Sequence, residues 1–369
     1  MKKALIISCF GWFKERLEPI RSILIENNYD VVIITSDYCH IKKENKKERY
    51  KECTYVHVPQ YKRNISVQRA RSHFYFGKEI ARYIEQIQPD FLYAVIPPNN
   101  VAYYCRRYKE EHPTIKLIFD IIDLWPESMP LGILKNTSPA SVWKKWRDDA
   151  ITCADHVFTE CNLYKEILKD VLNPEKTSTL YLFKEQRDEE KALVERIIGR
   201  GKQDNIIRFA YLGSMNNIID IDGICAVIRQ FVECGYQCEL HAIGNGESRE
   251  KFEEAVRKID CKTQFYGLVF DEIEKIRILA PCDYAFNMMK RDINVGLTIK
   301  SIDYLSCGLP LINNIKGDTW KLVDDERVGI NVDCNELKLS TFDHNTIVHV
   351  FKNFFSKESF IKSVKSILN

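Results

Sequence analysis

Short apolar runs alternate with stretches of helical periodicity along this chain, and the alternation starts afresh at Ile207. Runs that are apolar throughout, not at every second position, mark strands buried on both faces, as in parallel sheets covered by helices. The first series reads as strands over Ala4–Phe10, Val31–Thr35, a short edge candidate at Val56–Val58, Phe91–Ile96, Lys116–Asp120 and His156–Thr159. Helical patterns lie between them, one carrying Leu17, Ile20, Ile23 and Leu24, others over His73–Ile87, Val101–Lys109 and Ser141–Cys153. The second series has strands over Ile207–Leu212, Cys238–Ile243, Thr263–Tyr266, Tyr284–Met288 and Pro310–Asn313. Its helices are read over Asp222–Glu233, Glu247–Ile259, Asp271–Leu279 and Ile299–Cys307. The fold class expected is α/β, with two Rossmann-like domains facing a central cleft. The boundaries read as 1–183, a charged linker with some helix at 184–206, 207–345, and amphipathic tail helices at 346–369 that return to the first domain. A chain of 369 residues also exceeds the roughly 250–300 at which single cores stop growing.

Composition removes several classes. The net charge is +2, so no basic excess points to nucleic acid. The 13 cysteines are odd in number, irregularly spaced and without a CxxC pair, which fits free thiols in a reducing cytoplasm. They show no zinc spacing. Met1-Lys2-Lys3 and the apolar run after it read as a buried first strand, not as a secretory signal. No apolar stretch reaches 18 residues, so no segment is expected to span a membrane.

In open α/β sheets ligands bind outside the carboxyl ends of the strands, so the loops there carry the functional reading. Gly213 and Ser214 follow the strand that opens the second domain. Gly244-Asn245-Gly246 follows the next, and Gly267-Leu268-Val269 the third. The first two are equally readable as plain turns, and the third, taken alone, reads as a structural turn. More specific is Val295-Gly296-Leu297-Thr298-Ile299-Lys300, a glycine-led loop entering a helix that also carries Asp303 one turn on. A helix N-terminus with a lysine beside it suits a diphosphate, and a carboxylate one turn later suits ribose hydroxyls. The alternative is a surface salt bridge between Lys300 and Asp303. In the first domain Gly11 makes a turn after the first strand. Asp120, Asp123 and Glu127 crowd the end of another, beside Trp125 and Pro126. Carboxylates there suit sugar hydroxyls or acid/base work; equally, they read as turn acids capping Ser128–Met129.

Taken in order, YLGS, HAIGNGE, FYGLV and GLTIKSIDYLSCGLPLI, with Asp-Leu-Trp-Pro-Glu-Ser upstream, resemble the retaining GT-B glycosyltransferases of the GT4-like group, in particular bacterial members that build surface polysaccharides. The resemblance covers nearly the whole chain and is densest from Phe209 to Ile312. It implies that Gly213, Ser214, Gly244 and Asn245 meet the donor nucleotide and its phosphates, and that Gly267, Leu268 and Val269 meet the base. It places Gly296, Leu297 and Thr298 at sugar and diphosphate, Asp303 at ribose, and Gly11 in the glycine loop of the acceptor domain. This sequence departs from the family where Val295, beside Asn294, stands in place of the first glutamate of E-x7-E, and where Ser214 occupies the usual basic position. Lys300 is expected to compensate.

The activity expected is metal-independent, retaining transfer from a nucleotide-sugar donor to a glycan acceptor, the candidates for catalysis being Lys300, Asp123 and Glu127. No cofactor beyond the nucleotide-diphosphate sugar substrate is expected. A lipid-linked acceptor is expected to reach the first domain at a cytoplasmic membrane face. Residues 41–71 hold ten Lys/Arg against three Glu, interleaved with Tyr50, Tyr55 and Tyr61, and would dock there peripherally; a solvated loop is the alternative. The rival functions are a sugar-nucleotide epimerase on the same scaffold and a nucleotide-sugar-binding partner subunit without catalysis.

Overall fold

The computed structural model describes residues 1–11, 13–129, 137–199, 204–290, 295–333 and 341–368; Asn294 lies outside them. By their internal contacts the chain divides into two compact units, Met1–Leu182 with Phe360–Asn369, and Phe183–Ser359.

In the first unit the strands are β1 (Lys2–Ser8), β2 (Tyr29–Ser36), the small antiparallel pair β3 (Tyr38–Cys39) and β4 (Glu44–Asn45), β5 (Cys53–Val56), β6 (Phe91–Ile96), β7 (Lys116–Ile121), β8 (His156–Thr159) and β9 (Thr177–Thr179). Seven of them form one parallel sheet in the order β5-β2-β1-β6-β7-β8-β9. All six residues of β6 are buried, as are Ala4–Ser8 of β1, because helices cover both faces. In the second unit the strands are β10 (Ile206–Leu212), β11 (Gln237–Ile243), β12 (Cys261–Gly267), β13 (Tyr284–Asn287), β14 (Leu311–Asn313) and β15 (Gly329–Asn331). Their order is β12-β11-β10-β13-β14-β15, all parallel. Counted from the first strand of each sheet, both orders begin 3-2-1-4-5-6, the Rossmann order, with the chain reversing direction across the sheet beside strand 1. In each unit the reversal opens a crevice at the carboxyl ends: between β1 and β6 in the first, between β10 and β13 in the second.

The helix expected within the charged linker is present, and two features depart from the sequence reading. The charged segment at 184–206 carries the helix Asp188–Ile198, whose Leu193 and Val194 are buried. Asp188, Glu189 and Glu190 in its first turn complement the positive end of the helix. The tail forms two helices, His344–Phe355 and Lys357–Leu368. The former belongs to the second unit, where His344 Nδ1 lies 2.8 Å from the Gly308 carbonyl; only Phe360–Asn369 groups with the first. Finally, β9, β15 and the β3–β4 pair are too short to leave a periodic signal.

The first unit has an ion pair at its centre. Arg16 and Asp120 are both fully buried, bonded through Nε at 2.5 Å and Nη2 at 2.6 Å. Nη2 also donates to the Leu180 carbonyl, and the Tyr93 hydroxyl donates to Asp120 at 2.7 Å. The ring of Phe360, from the tail, lies 5.7 Å from the guanidinium. Lys116 Nζ donates to the Ile367 carbonyl, and Lys365 pairs with Glu26.

Candidate functional site

At the carboxyl ends of β10, β11 and β12 the glycine loops are locked to one another by main-chain bonds. Gly213 N–H donates to the Ile243 carbonyl at 3.0 Å, Gly244 N–H to Gly267 at 2.7 Å, and Met215 N–H to Asn245 at 2.9 Å. Gly244 has φ +140, and a Cβ on it would lie 1.9 Å from the Gly213 oxygen. Only glycine lets the two loops approach so closely. Gly244→Ala is therefore expected to cost at least about 1–3 kcal/mol of stability, read from the denaturant midpoint. Gly11→Ala, where a Cβ meets nothing within 4 Å, should stay within about 0.5 kcal/mol of wild type. Ser214 and Asn245 are exposed on these loops, and Leu268 is exposed beside Gly267, with Val269 half-buried.

Across the crevice, the helix Ile299–Ser306 begins with Thr298 as its N-cap, accepting from Ser301 N–H at 3.2 Å. The Thr298 hydroxyl donates to Asn287 Oδ1 at 2.8 Å. Asn287 donates to Asn313 at 2.9 Å, and Asn313 to Asn331 at 2.8 Å. This chain of amides ties the helix start to the ends of β13, β14 and β15. The Gly296 carbonyl accepts from the backbone and hydroxyl of Thr319, which fixes the loop leading in; Leu297 is half-buried between. Tyr304, on the same helix, accepts from Leu212 N–H at 2.6 Å.

Lys300 projects from this helix start toward β10. Its Nζ lies 5.2 Å from the centre of the Tyr211 ring, and its Cδ is 3.8 Å from where a Gly213 Cβ would stand. Among the described residues it makes no ion pair or hydrogen bond. Burial alone brings its ammonium down to about 8. A part-buried cation beside glycine-rich backbone, with no counter-ion among the described residues, has the electrostatics to attract an anion. Asp303 points elsewhere: it pairs with Lys184, which also holds Glu272 at 2.9 Å. The two carboxylates hold the Lys184 ammonium well above its usual range despite burial. Lys300 and Asp303 therefore form no salt bridge. Val295, half-buried, supplies no carboxylate.

In the first unit the Asp-Leu-Trp-Pro-Glu-Ser loop follows β7. Asp123 accepts from Leu124 N–H at 2.9 Å, from the indole of Trp125 at 2.6 Å and from the Ser128 hydroxyl. Glu127 takes both ends of the Arg147 guanidinium, at 2.9 and 2.7 Å. Neither acid caps the backbone of Ser128–Met129, whose N–H groups bond to Leu124 and Pro126; Asp123 braces the loop from within, and Glu127 ties it to the helix carrying Arg147. Asp120 is the buried partner of Arg16. The carboxylate that the sequence reading passed over is Glu160, after β8. Burial, reinforced by Asp123 and Asp120 against Arg16, pushes it up to about 8. Tyr211 and Asn287 were also missed, since nothing local marks an aromatic or an amide as a neighbour of the Lys300 helix. The basic segment 41–71 is partly turned inward: Lys46 donates to the Ser36 carbonyl at 2.8 Å, and Arg69 is buried.

No family profile matches the chain, and no characterised protein matches it by sequence. Solved structures match over the full length. Sucrose-phosphate synthase from Thermosynechococcus elongatus aligns with TM-score 0.66 and 11% identity over 100% of this chain and 98% of that one. The lipopolysaccharide outer core galactosyltransferase WaaB aligns with TM-score 0.59 and 15% identity over 100% and 99%. The UDP-GlcNAc 2-epimerase from Methanocaldococcus jannaschii aligns with TM-score 0.54 and 12% identity over 100% and 99%. The fold is that of the GT-B class, two Rossmann-like domains in one chain. At these identities the likeness is one of fold. Among the described residues no helix is long and apolar enough to cross a membrane, and no three His, Cys, Asp or Glu side chains are grouped to hold a metal.

Proposed function

We propose that this chain is a GT4-like glycosyltransferase that moves a sugar from a nucleotide-sugar to a glycan acceptor with retention at the anomeric carbon and without a metal. The observation that carries the reading is the Lys300 ammonium, unpaired among the described residues, between the Gly213 loop and an amide-rich helix start. Those donors suit a diphosphate leaving group whose charge grows as the glycosidic bond breaks. Gly244, Asn245, Gly267, Leu268 and Val269 would face the nucleotide, Gly296, Leu297 and Thr298 the sugar and diphosphate. Asp123 and Glu127 take a positioning part, Asp123 holding the Trp125 indole and Glu127 holding Arg147, which donates to the Trp125 carbonyl. The acceptor, in this reading a lipid-linked intermediate of bacterial surface polysaccharide, would meet the first unit, with the cations of 41–71 toward an anionic cytoplasmic leaflet.

The test is a panel of nucleotide-sugars scored by melting temperature, since a ligand bound only by the folded state stabilises it, followed by transfer assays with the donor that binds. No stabilisation by any nucleotide-sugar would end the proposal. Asp303→Asn is expected to weaken nucleotide binding by about tenfold or more, as for loss of a charged hydrogen bond; unchanged affinity would remove Asp303 from the ribose. An epimerase shares the fold class, and acceptor-free conversion of the donor would favour it. Binding without turnover on any acceptor would favour a partner subunit.

A further inference from the structure

A cavity of about 350 Å³ opens in the first unit, between the start of the helix Val67–Ile87 and the Trp125 loop. Its walls include Arg69, His73, Trp125, Met129 and Trp143. His73 is only 3% exposed, yet among the described residues neither ring nitrogen has a hydrogen-bond partner. Burial first, then Arg69 and His40, drive it well below its ordinary range, so the ring is neutral and offers one N–H donor and one lone pair. Arg69 lies across Trp125, its guanidinium 4.3 Å from the ring centre. It donates from Nη1 to the Asn64 carbonyl, and its Nε is also unpartnered. Each such orphan costs about 1–3 kcal/mol in the folded protein, so groups of this kind call for an explanation beyond folding.

The aromatic walls are fixed in advance. The His73 ring stacks on Trp125 at 5.3 Å and 17°, and Trp143 stands 5.7 Å from Trp125. Asn99 donates to the carbonyls of both tryptophans, at 2.8 and 3.0 Å. Arg147 donates to the Trp125 carbonyl, and Asp123 holds the indole N–H. The polar residues of the Asp-Leu-Trp-Pro-Glu-Ser loop thus spend their bonds on setting these rings, which is how a preorganised site is supported from behind.

The chemistry of the walls selects among ligands. An anion supplies only acceptors and leaves the imidazole lone pair opposed. An acyl chain leaves all three orphan positions unpaired. A sugar hydroxyl both donates and accepts, matching a neutral imidazole, and the C–H face of a pyranose is apolar enough to lie on indole. We propose that this cavity is a sugar-binding subsite for one hexopyranose ring of a glycan, with His73 and Arg69 bonding its oxygens and a tryptophan stacking on its face. Its place as the acceptor subsite rests on the transferase reading; sugar binding itself does not.

The experiment titrates the full chain, free of nucleotide, with the methyl glycosides of glucose, galactose, mannose and N-acetylglucosamine, following tryptophan fluorescence. At least one is expected to give a saturable change. His73→Phe keeps the ring and the stacking but removes both nitrogens, and should weaken that glycoside about tenfold or more without lowering the melting temperature. Trp143→Ala should weaken it similarly. His73→Gln, which still donates and accepts, should recover part of the affinity. No saturable response to any glycoside, equal affinity in His73→Phe, or a response to dodecyl phosphate alone would overturn the proposal. Nucleotide-sugar stabilisation, measured on the same variants, is expected to be unchanged. Its absence in wild type alongside glycoside binding would sink the transferase reading and leave this one standing.

Discussion

Lys300→Ala is expected to lower turnover by about 10²- to 10³-fold, the scale for losing one preorganised donor to a developing charge, in a protein that folds normally. The substitution should not harm folding, because among the described residues the ammonium gains no partner, and it is burdened by burial. The sign follows from its lowered value: the charged form is disfavoured by folding, a cost present below about 8 and relieved as pH rises toward the usual lysine range. Lys300→Ala should therefore match or exceed wild type in stability near neutral pH. A bound diphosphate reverses the balance. Affinity for the nucleotide-sugar should fall as pH rises through about 8 in wild type and stay flat across that window in Lys300→Ala. Wild-type turnover in the variant would exclude Lys300 from the chemistry.

Asp120→Asn should remove about 3–5 kcal/mol of stability, because it leaves the Arg16 guanidinium buried opposite a neutral amide. That is a large fraction of the 5–15 kcal/mol typical of a folded domain. Arg16 is fully buried, its Nη1 already lacks a partner among the described residues, and Tyr93 also depends on the same carboxylate. Arg106→Ala, which removes surface pairs with Glu110 and Asp149, should cost about 1 kcal/mol or less. Denaturant midpoints with constant m-values would check both. Equal losses in the two variants would mean that the buried pair is not the anchor of the first unit.

How far these features were legible depended on their range in sequence. Strand runs, the glycine loops after β10 and β11, and the Thr298 helix start are local patterns, and the structure places them at one end of one sheet. The partners of the charged residues are remote. Arg16 finds Asp120 across 104 positions and Lys184 finds Asp303 across 119, and no spacing rule connects either pair. Asp123 and Glu127 were visible as a cluster of acids. Their duties were not, because these depend on which donors the fold brings within reach. The cavity was invisible for the same reason: His73 and Arg69 sit on one helix, while Trp125 and Trp143 arrive from a loop and a second helix.

The tail has a bearing on how the chain is made. The ring that covers Arg16 belongs to Phe360, and the second unit is interposed between Leu182 and that residue. During synthesis the leading unit must wait, its central guanidinium lacking that aromatic cover, until the whole of the following one has left the ribosome. A fragment ending at Leu182 would stay in that waiting condition, so dissecting this protein into halves calls for stitching Phe360–Leu368 back onto the first piece.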